Sequence, residues 1–211
     1  MLSKTEMVWR HLLVGAYEWG HRRYASITEV AEELEMGLST VHQALSRPVG
    51  MGAVVVGGTG LRVLDPARLC LVFAARRELA KDMVAEHHLA MDAASVEAAL
   101  ADTDAILGGF GAGLAHLGAN TIASYDTVIA YCAPGQRLAL PQAPVEAGVP
   151  GARGPMTRLI VAEADPMLGL YADGLAVTPL AQTYADLFNL PGWQATRFTA
   201  ALGAKMAERD R

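Results

Sequence analysis

The stretch from Ser26 to Leu64 leaves the least freedom to a fold. Ser26-Ile27-Thr28-Glu29 forms a capping box, in which a serine hydroxyl and a glutamate carboxylate reciprocally satisfy the orphan amides of a helix start. The helix it opens carries Ile27, Val30, Ala31 and Leu34 on one face and Glu29, Glu32 and Glu33 outward. Gly37 interrupts it. Leu38-Ser39-Thr40 starts another helix, with Ser39 as its cap, Val41, Ala44 and Leu45 as its buried stripe and Pro48 as its end. Two β-prone runs, Ala53–Val56 and Leu61–Leu64, then flank Gly57-Gly58-Thr59-Gly60 and read as a hairpin. A helix over Ser3–Glu18 precedes this block, with Met7, Val8, Leu12, Ala16 and Tyr17 at helical spacing. Asp65-Pro66, a cap and a first-turn proline, opens another helix behind it.

Turning Val41, Ala44 and Leu45 inward leaves Ser39, Thr40, His42, Gln43 and Ser46 in solvent, with Arg47 at the end. These side chains suit a major groove. Glutamine bonds adenine bidentately, arginine bonds guanine, and serine or threonine takes a base edge or a phosphate. Arg22 and Arg23 stand before the second helix, where a backbone contact is expected. Thr59 and Arg62, at and beside the glycine-rich tip, reach a phosphate or the minor groove. The order helix, helix, tight turn, helix, hairpin, helix resembles a winged helix-turn-helix over residues 1–80. That resemblance implies duplex DNA as partner, and a second copy of the chain if the site is a palindrome. The competing reading is a winged helix used for packing or protein contacts. Glu29, Glu32, Glu33 and Glu35 favour it, because they would repel phosphates.

Residues 77–92 read as a helical connector, and residues 81–211 as an α/β unit. Helices are expected near 95–101, 111–117, 179–188 and 193–207, strands near 127–132, 158–162 and 137–140, and a long loop over 141–155. In this half, Ile106-Leu107-Gly108-Gly109 followed by Ser124-Tyr125-Asp126-Thr127-Val128 resembles the nucleotidyltransferase layout. There a Gly-Gly turn opens a helix, and the next strand presents two carboxylates that hold metal ions. Asp126 stands at the first carboxylate position, but Val128 occupies the second. One carboxylate cannot clamp two metal ions, so no catalytic residue, metal site or cofactor is expected. A winged helix joined to a degenerate domain of this kind is similar to the AbiEi family of antitoxin-like regulators of type IV toxin–antitoxin systems. The segment VTPLAQTYADLFNLPGWQATRFTAAL resembles that family's late helices. The resemblance implies an α+β chain that represses its own operon or a neighbouring gene, with a cognate toxin protein as a further partner.

Net charge is −5, which by itself disfavours nucleic acid, yet residues 1–80 sum to +1 and residues 81–211 to −6. A DNA-binding surface needs a basic face and not a basic total. With 52% hydrophobic and 18% charged residues, wholesale disorder is excluded. No apolar run approaches the ~20 residues of a membrane span, and MLSKTEMVWRHLL lacks a signal-peptide pattern, so a cytoplasmic location is expected. Cys70 and Cys132 are then two reduced, buried thiols. His87-His88 beside Glu86 and Asp92 reads as a solvated connector, not a metal site. Gly108-Gly109-x-Gly111-x-Gly113 lacks the lysine of a phosphate loop and reads as close helix packing. His116 reads as a satisfied core histidine. Two alternatives stay open: a ligand-responsive regulator with its pocket in the second half, and an active nucleotidyltransferase using Asp126 with Glu163 or Asp165.

Overall fold

The computed structural model describes residues 1–118, 122–145, 154–171 and 176–210, and the chain is a mixed α+β protein. Helix α1 (Lys4–Tyr17) is its spine. A capping box starts it: the Ser3 hydroxyl accepts from the Glu6 amide, and the Glu6 carboxylate accepts from the Ser3 amide. Val8, Trp9, Leu12, Leu13, Val14 and Tyr17 are all buried, and so are Arg10 and His11. A helix covered on every side must be wrapped by other elements, and three of them do so here: α3 (Leu38–Gly50), α4 (Pro66–Arg76) and α8 (Leu180–Phe188).

Helix α2 (Ile27–Glu33) and α3 meet through a turn whose left-handed residue is Glu35, at φ 50°, while Gly37 is extended and serves as the N-cap of α3. Ser39 is therefore not the cap but an exposed residue of the first turn. A non-glycine side chain in the left-handed region strains the backbone by ~1–2 kcal/mol. Glu35→Gly is thus expected to stabilise the protein by about 1 kcal/mol, raising Tm by ~2–4 °C for a chain of this length. A melting temperature that falls instead would show that Glu35 makes a compensating interaction.

The helix does not stop at Pro48 either. Proline lacks the amide that would bond the Ala44 carbonyl one turn back, but the Trp9 indole N–H donates to that carbonyl at 2.8 Å. With the orphan acceptor satisfied from α1, the helix runs on to Gly50.

The hairpin pairs β2 (Val54–Gly57) with β3 (Gly60–Val63) around the turn Gly58-Thr59, and β1 (Arg23–Tyr24) adds on the other side of β3, giving the order β1-β3-β2. The Asp65 side chain accepts from the Arg68 amide and, with Pro66 in the first turn, starts α4.

Residues 77–92 are not a helix. After the short turn Leu79–Lys81 the chain forms β4 (Met83–Leu89), antiparallel to β7 (Thr157–Glu163). Alanine, glutamate and lysine favour a helix locally, but propensity is a weak prior against a waiting strand edge. The second sheet runs β4-β7-β6-β5, with β6 (Thr127–Cys132) parallel to β7 and antiparallel to β5 (Ile106–Gly108). Val128, Ala130, Leu159 and Val161 pack on one side with Val96 and Leu100 of α5 (Ala93–Leu100). Ile129, Tyr131, Ile160 and Ala162 pack on the other with Leu79 and Leu168. The strand expected over residues 137–140 is irregular, and the expected loop over 141–155 lies partly outside the described residues.

One apolar core joins the two halves. Leu180, Leu187, Phe198 and Leu202, from α8 and α9 (Trp193–Arg209), share a cluster with Leu12, Val41, Leu69 and Phe73, so the core continues past residue 80. Two buried charge clusters cross the same seam. Arg10 holds Asp165 with both terminal nitrogens, at 2.7 and 2.6 Å, and donates to Gln182 at 2.9 Å. Arg77 pairs with Asp82 at 2.6 Å and Asp186 at 2.9 Å, while the Tyr131 hydroxyl accepts from Arg77 and donates to Asp186. Burial pushes the Asp186 carboxyl above its ordinary value, and the Arg77 guanidinium opposes that rise. Cys70 and Cys132 are free and buried, and burial pushes both thiols up. Among the described residues no helix is long and apolar enough to cross a membrane.

Candidate nucleic-acid interface

Helix α3 turns Val41, Ala44, Leu45 and Pro48 into the core. Ser39, His42, Gln43, Ser46 and Arg47 are exposed and Thr40 is half-buried. The C-terminal half packs on α1 and α4 and leaves this polar face open. Among the described residues no side chain caps the helix; the Thr40 amide bonds back to the Gly37 carbonyl at 2.9 Å, while the Leu38 and Ser39 amides stay available to solvent or to an anion.

The three-stranded sheet brings two cations together. Arg23 and Arg62 are directly opposite each other on β1 and β3, both exposed. Neither has an acidic partner among the described residues. Opposite positions place Cβ atoms ~4.5–5.5 Å apart, where like charges destabilise the pairing unless an anion intervenes. Both line a cavity of about 320 Å3 with Val55, Thr59 and Gly60. Thr59 is exposed at the hairpin tip. Between the hairpin and α3, His42 and Ser46 share a groove of about 300 Å3 with Ile27, Val49 and Val56. Such an edge combines polar donors with methyl groups that match a thymine methyl.

Arg22 departs from expectation. Its guanidinium bonds Asp210 at 2.8 Å and the Arg209 carbonyl at 3.2 Å, so it secures the end of α9 instead of facing a phosphate. Two acidic residues of α2 are engaged in local hydrogen bonds. The Glu29 carboxylate accepts from the Ala25 amide, one residue before the Ser26 cap, and Glu33 accepts from His11 at 2.7 Å. Glu32 and Glu35 remain exposed. Sequence reasoning missed Arg76, which shares a cleft of about 440 Å3 with Arg47 at the far end of α3. Arg76 lies over the Trp9 ring at 5.6 Å. No local motif marks it, because Arg76 lies on α4, far along the chain from Arg47 on α3.

Among the described residues Asp126 is not brought together with either of its expected partners, Glu163 and Asp165. Asp126 precedes β6, whereas Glu163 pairs with Cys132 at the opposite end of the same strands. The intervening residues span about 20 Å. Asp165 is buried against Arg10. The glycine run packs, as expected. A Cβ on Gly109, at φ +59°, would meet Ile129 at 2.9 Å, and one on Gly113 would meet Phe198 at 2.9 Å. His87 and His88 lie on strand β4 and so face opposite sides, and Glu86 pairs with Arg158 at 2.7 Å. His116 donates from Nε2 to the Thr178 carbonyl at 2.8 Å, and burial lowers its pKa.

No protein-family model matches this chain, and no curated protein or solved structure matches it significantly.

Proposed function

We propose that this protein is a sequence-specific DNA-binding transcription regulator built on a winged helix-turn-helix, with α2 and α3 as the two helices and β2–β3 as the wing. In this reading α3 lies in the major groove and presents Gln43 and Arg47 to base edges. The Arg23–Arg62 pair and Thr59 meet the sugar–phosphate backbone beside it. The observation that carries the reading is the pair of arginines held opposite each other on an exposed sheet, without an acid among the described residues, next to an uncovered polar helix face. A phosphate between the two guanidiniums relieves their repulsion. The more acidic second half packs behind α1 and α4, away from this surface. In the AbiEi-like form of the proposal that half serves as scaffold or partner surface, and an adjacent gene encoding an intact nucleotidyltransferase would support it.

Selection from a randomised duplex pool tests the proposal directly, and a single enriched motif is expected. Gln43→Ala and Arg47→Ala should each weaken binding to that motif about 5–150-fold, the worth of a bidentate base contact. Both side chains are exposed, so the melting temperature should stay put. Arg62→Ala should weaken all duplexes alike and reduce the salt slope by about one. Failure to enrich any sequence, or specific affinity that survives both α3 substitutions, would remove α3 as the reading element.

A further inference from the structure

A cavity of about 280 Å3 opens where α1, the turn after it, α2 and α7 (Leu168–Tyr171) converge, walled by His11, Trp19, Glu33, Met167 and Tyr171. Three of those walls are rings. Centroids of His11 and Trp19 lie 6.0 Å apart, His11 and Tyr171 6.2 Å, Trp19 and Tyr171 5.8 Å. Trp19 is 55% exposed although it packs against two other rings, so a large aromatic surface is left at the mouth of the cavity.

The polar groups fix the sign of the charge that fits. An ionised Glu33 only accepts, so His11 Nε2 carries a proton and donates to it at 2.7 Å. His11 Nδ1 is then the acceptor for the Tyr171 hydroxyl at 3.0 Å. Both imidazole nitrogens are occupied, and burial disfavours the protonated ring. Arg10 sits over the Tyr171 ring at 4.9 Å, but it does not line the cavity and Asp165 neutralises it. What remains carries no cation: three aromatic rings, a thioether and one carboxylate, whose side chain is 43% exposed. Such walls repel anions and attract a cation whose charge is spread over alkyl groups.

We propose that this cavity is a binding site for a small organic cation bearing an alkylammonium group. The ammonium packs on the Trp19 and Tyr171 faces, and Glu33 supplies the counter-charge. The volume, near the lower end for ligand pockets, restricts the occupant to a small molecule. Because Glu33 ends α2 while Met167 and Tyr171 follow β7, an occupant contacts both halves of the chain. The site depends on its own lining and not on DNA binding by α3.

Isothermal titration of the full chain, without DNA, tests it with three probes: choline, n-butylammonium and 3,3-dimethylbutan-1-ol, the uncharged isostere of choline. Saturable one-to-one binding of an ammonium probe is expected, with the neutral isostere weaker by about tenfold or more. Glu33→Gln keeps an acceptor for His11 while removing the charge, and Trp19→Leu removes one π face. Each should weaken the ammonium probe about tenfold, with unchanged circular dichroism. No saturation by either ammonium below ~50 mM, equal binding of the neutral isostere, or affinity indifferent to both substitutions would overturn the assignment.

Discussion

Replacing Asp165 by alanine is expected to destabilise the protein by about 3–5 kcal/mol and to lower Tm by on the order of 10 °C. Arg10 is 0% exposed, and Asp165 holds it through both terminal nitrogens. Its Nε has no partner among the described residues, so removing Asp165 leaves the cation only the Gln182 side-chain oxygen and the Tyr171 ring. Arginine cannot shed its proton as a buried lysine would, and the desolvation cost of the charge is then uncompensated. The double variant Arg10→Met with Asp165→Leu removes both charges while keeping volume, and should lose far less than the single one. Urea unfolding of the unsubstituted protein and the two variants reads this directly. Equal losses in the single and double variants would mean that packing, not charge pairing, holds the seam between α1 and the segment after β7.

Gly60→Ala should be nearly as damaging, at on the order of 3 kcal/mol, and its effect should concentrate in the hairpin. Gly60 has φ +101°, and a Cβ there would lie 2.2 Å from the Tyr24 carbonyl oxygen and 2.7 Å from that of Ala25. Backbone atoms cannot rotate away as a flexible side chain can. The methyl group must therefore push β1 off β3 or flip the turn Gly58-Thr59. Both outcomes disturb the Arg23–Arg62 pair, so under the proposed function affinity for duplex DNA should fall although no side chain assigned to DNA is altered. Amide exchange across β1–β3 separates the cases. If protection there is retained in Gly60→Ala, the strand pairing does not depend on the close approach at this glycine.

These variants also mark the divide between local and long-range information. The helices of the first third were readable because their determinants lie within a turn or two of each other. Examples are the Ser26 cap, the stripe of Val41, Ala44 and Leu45, and the glycines around Thr59. The exposure of Gln43 and Arg47 follows from that stripe by helical geometry alone. The stop at Pro48 was misjudged for a non-local reason. The indole that replaces the missing amide belongs to Trp9, thirty-five positions before the Ala44 carbonyl it bonds. Strand β4 is not legible because only Val84 between Met83 and Leu89 prefers a strand, and Met83, Ala85, Glu86 and Leu89 favour a helix until β7 lies beside them. The bond of Arg22 to Asp210 is not legible in the sequence, because the two residues sit near opposite ends of the chain.

By itself, the order of residues determined which stretches coil or extend and which faces of the first four helices are apolar, since a period of 3.6 or 2 is set by neighbours. Only the tertiary structure decided which charges are consumed and which stay free. Arg10, Arg22 and Arg77 are spent on acids from the second half, while Arg23, Arg62 and Arg47 are left at the surface. Three aromatic rings meet Glu33 across a cavity for the same reason. Coulombic pairing and ring packing depend on distance in space, and distance in space is fixed only when the separate elements close on one core.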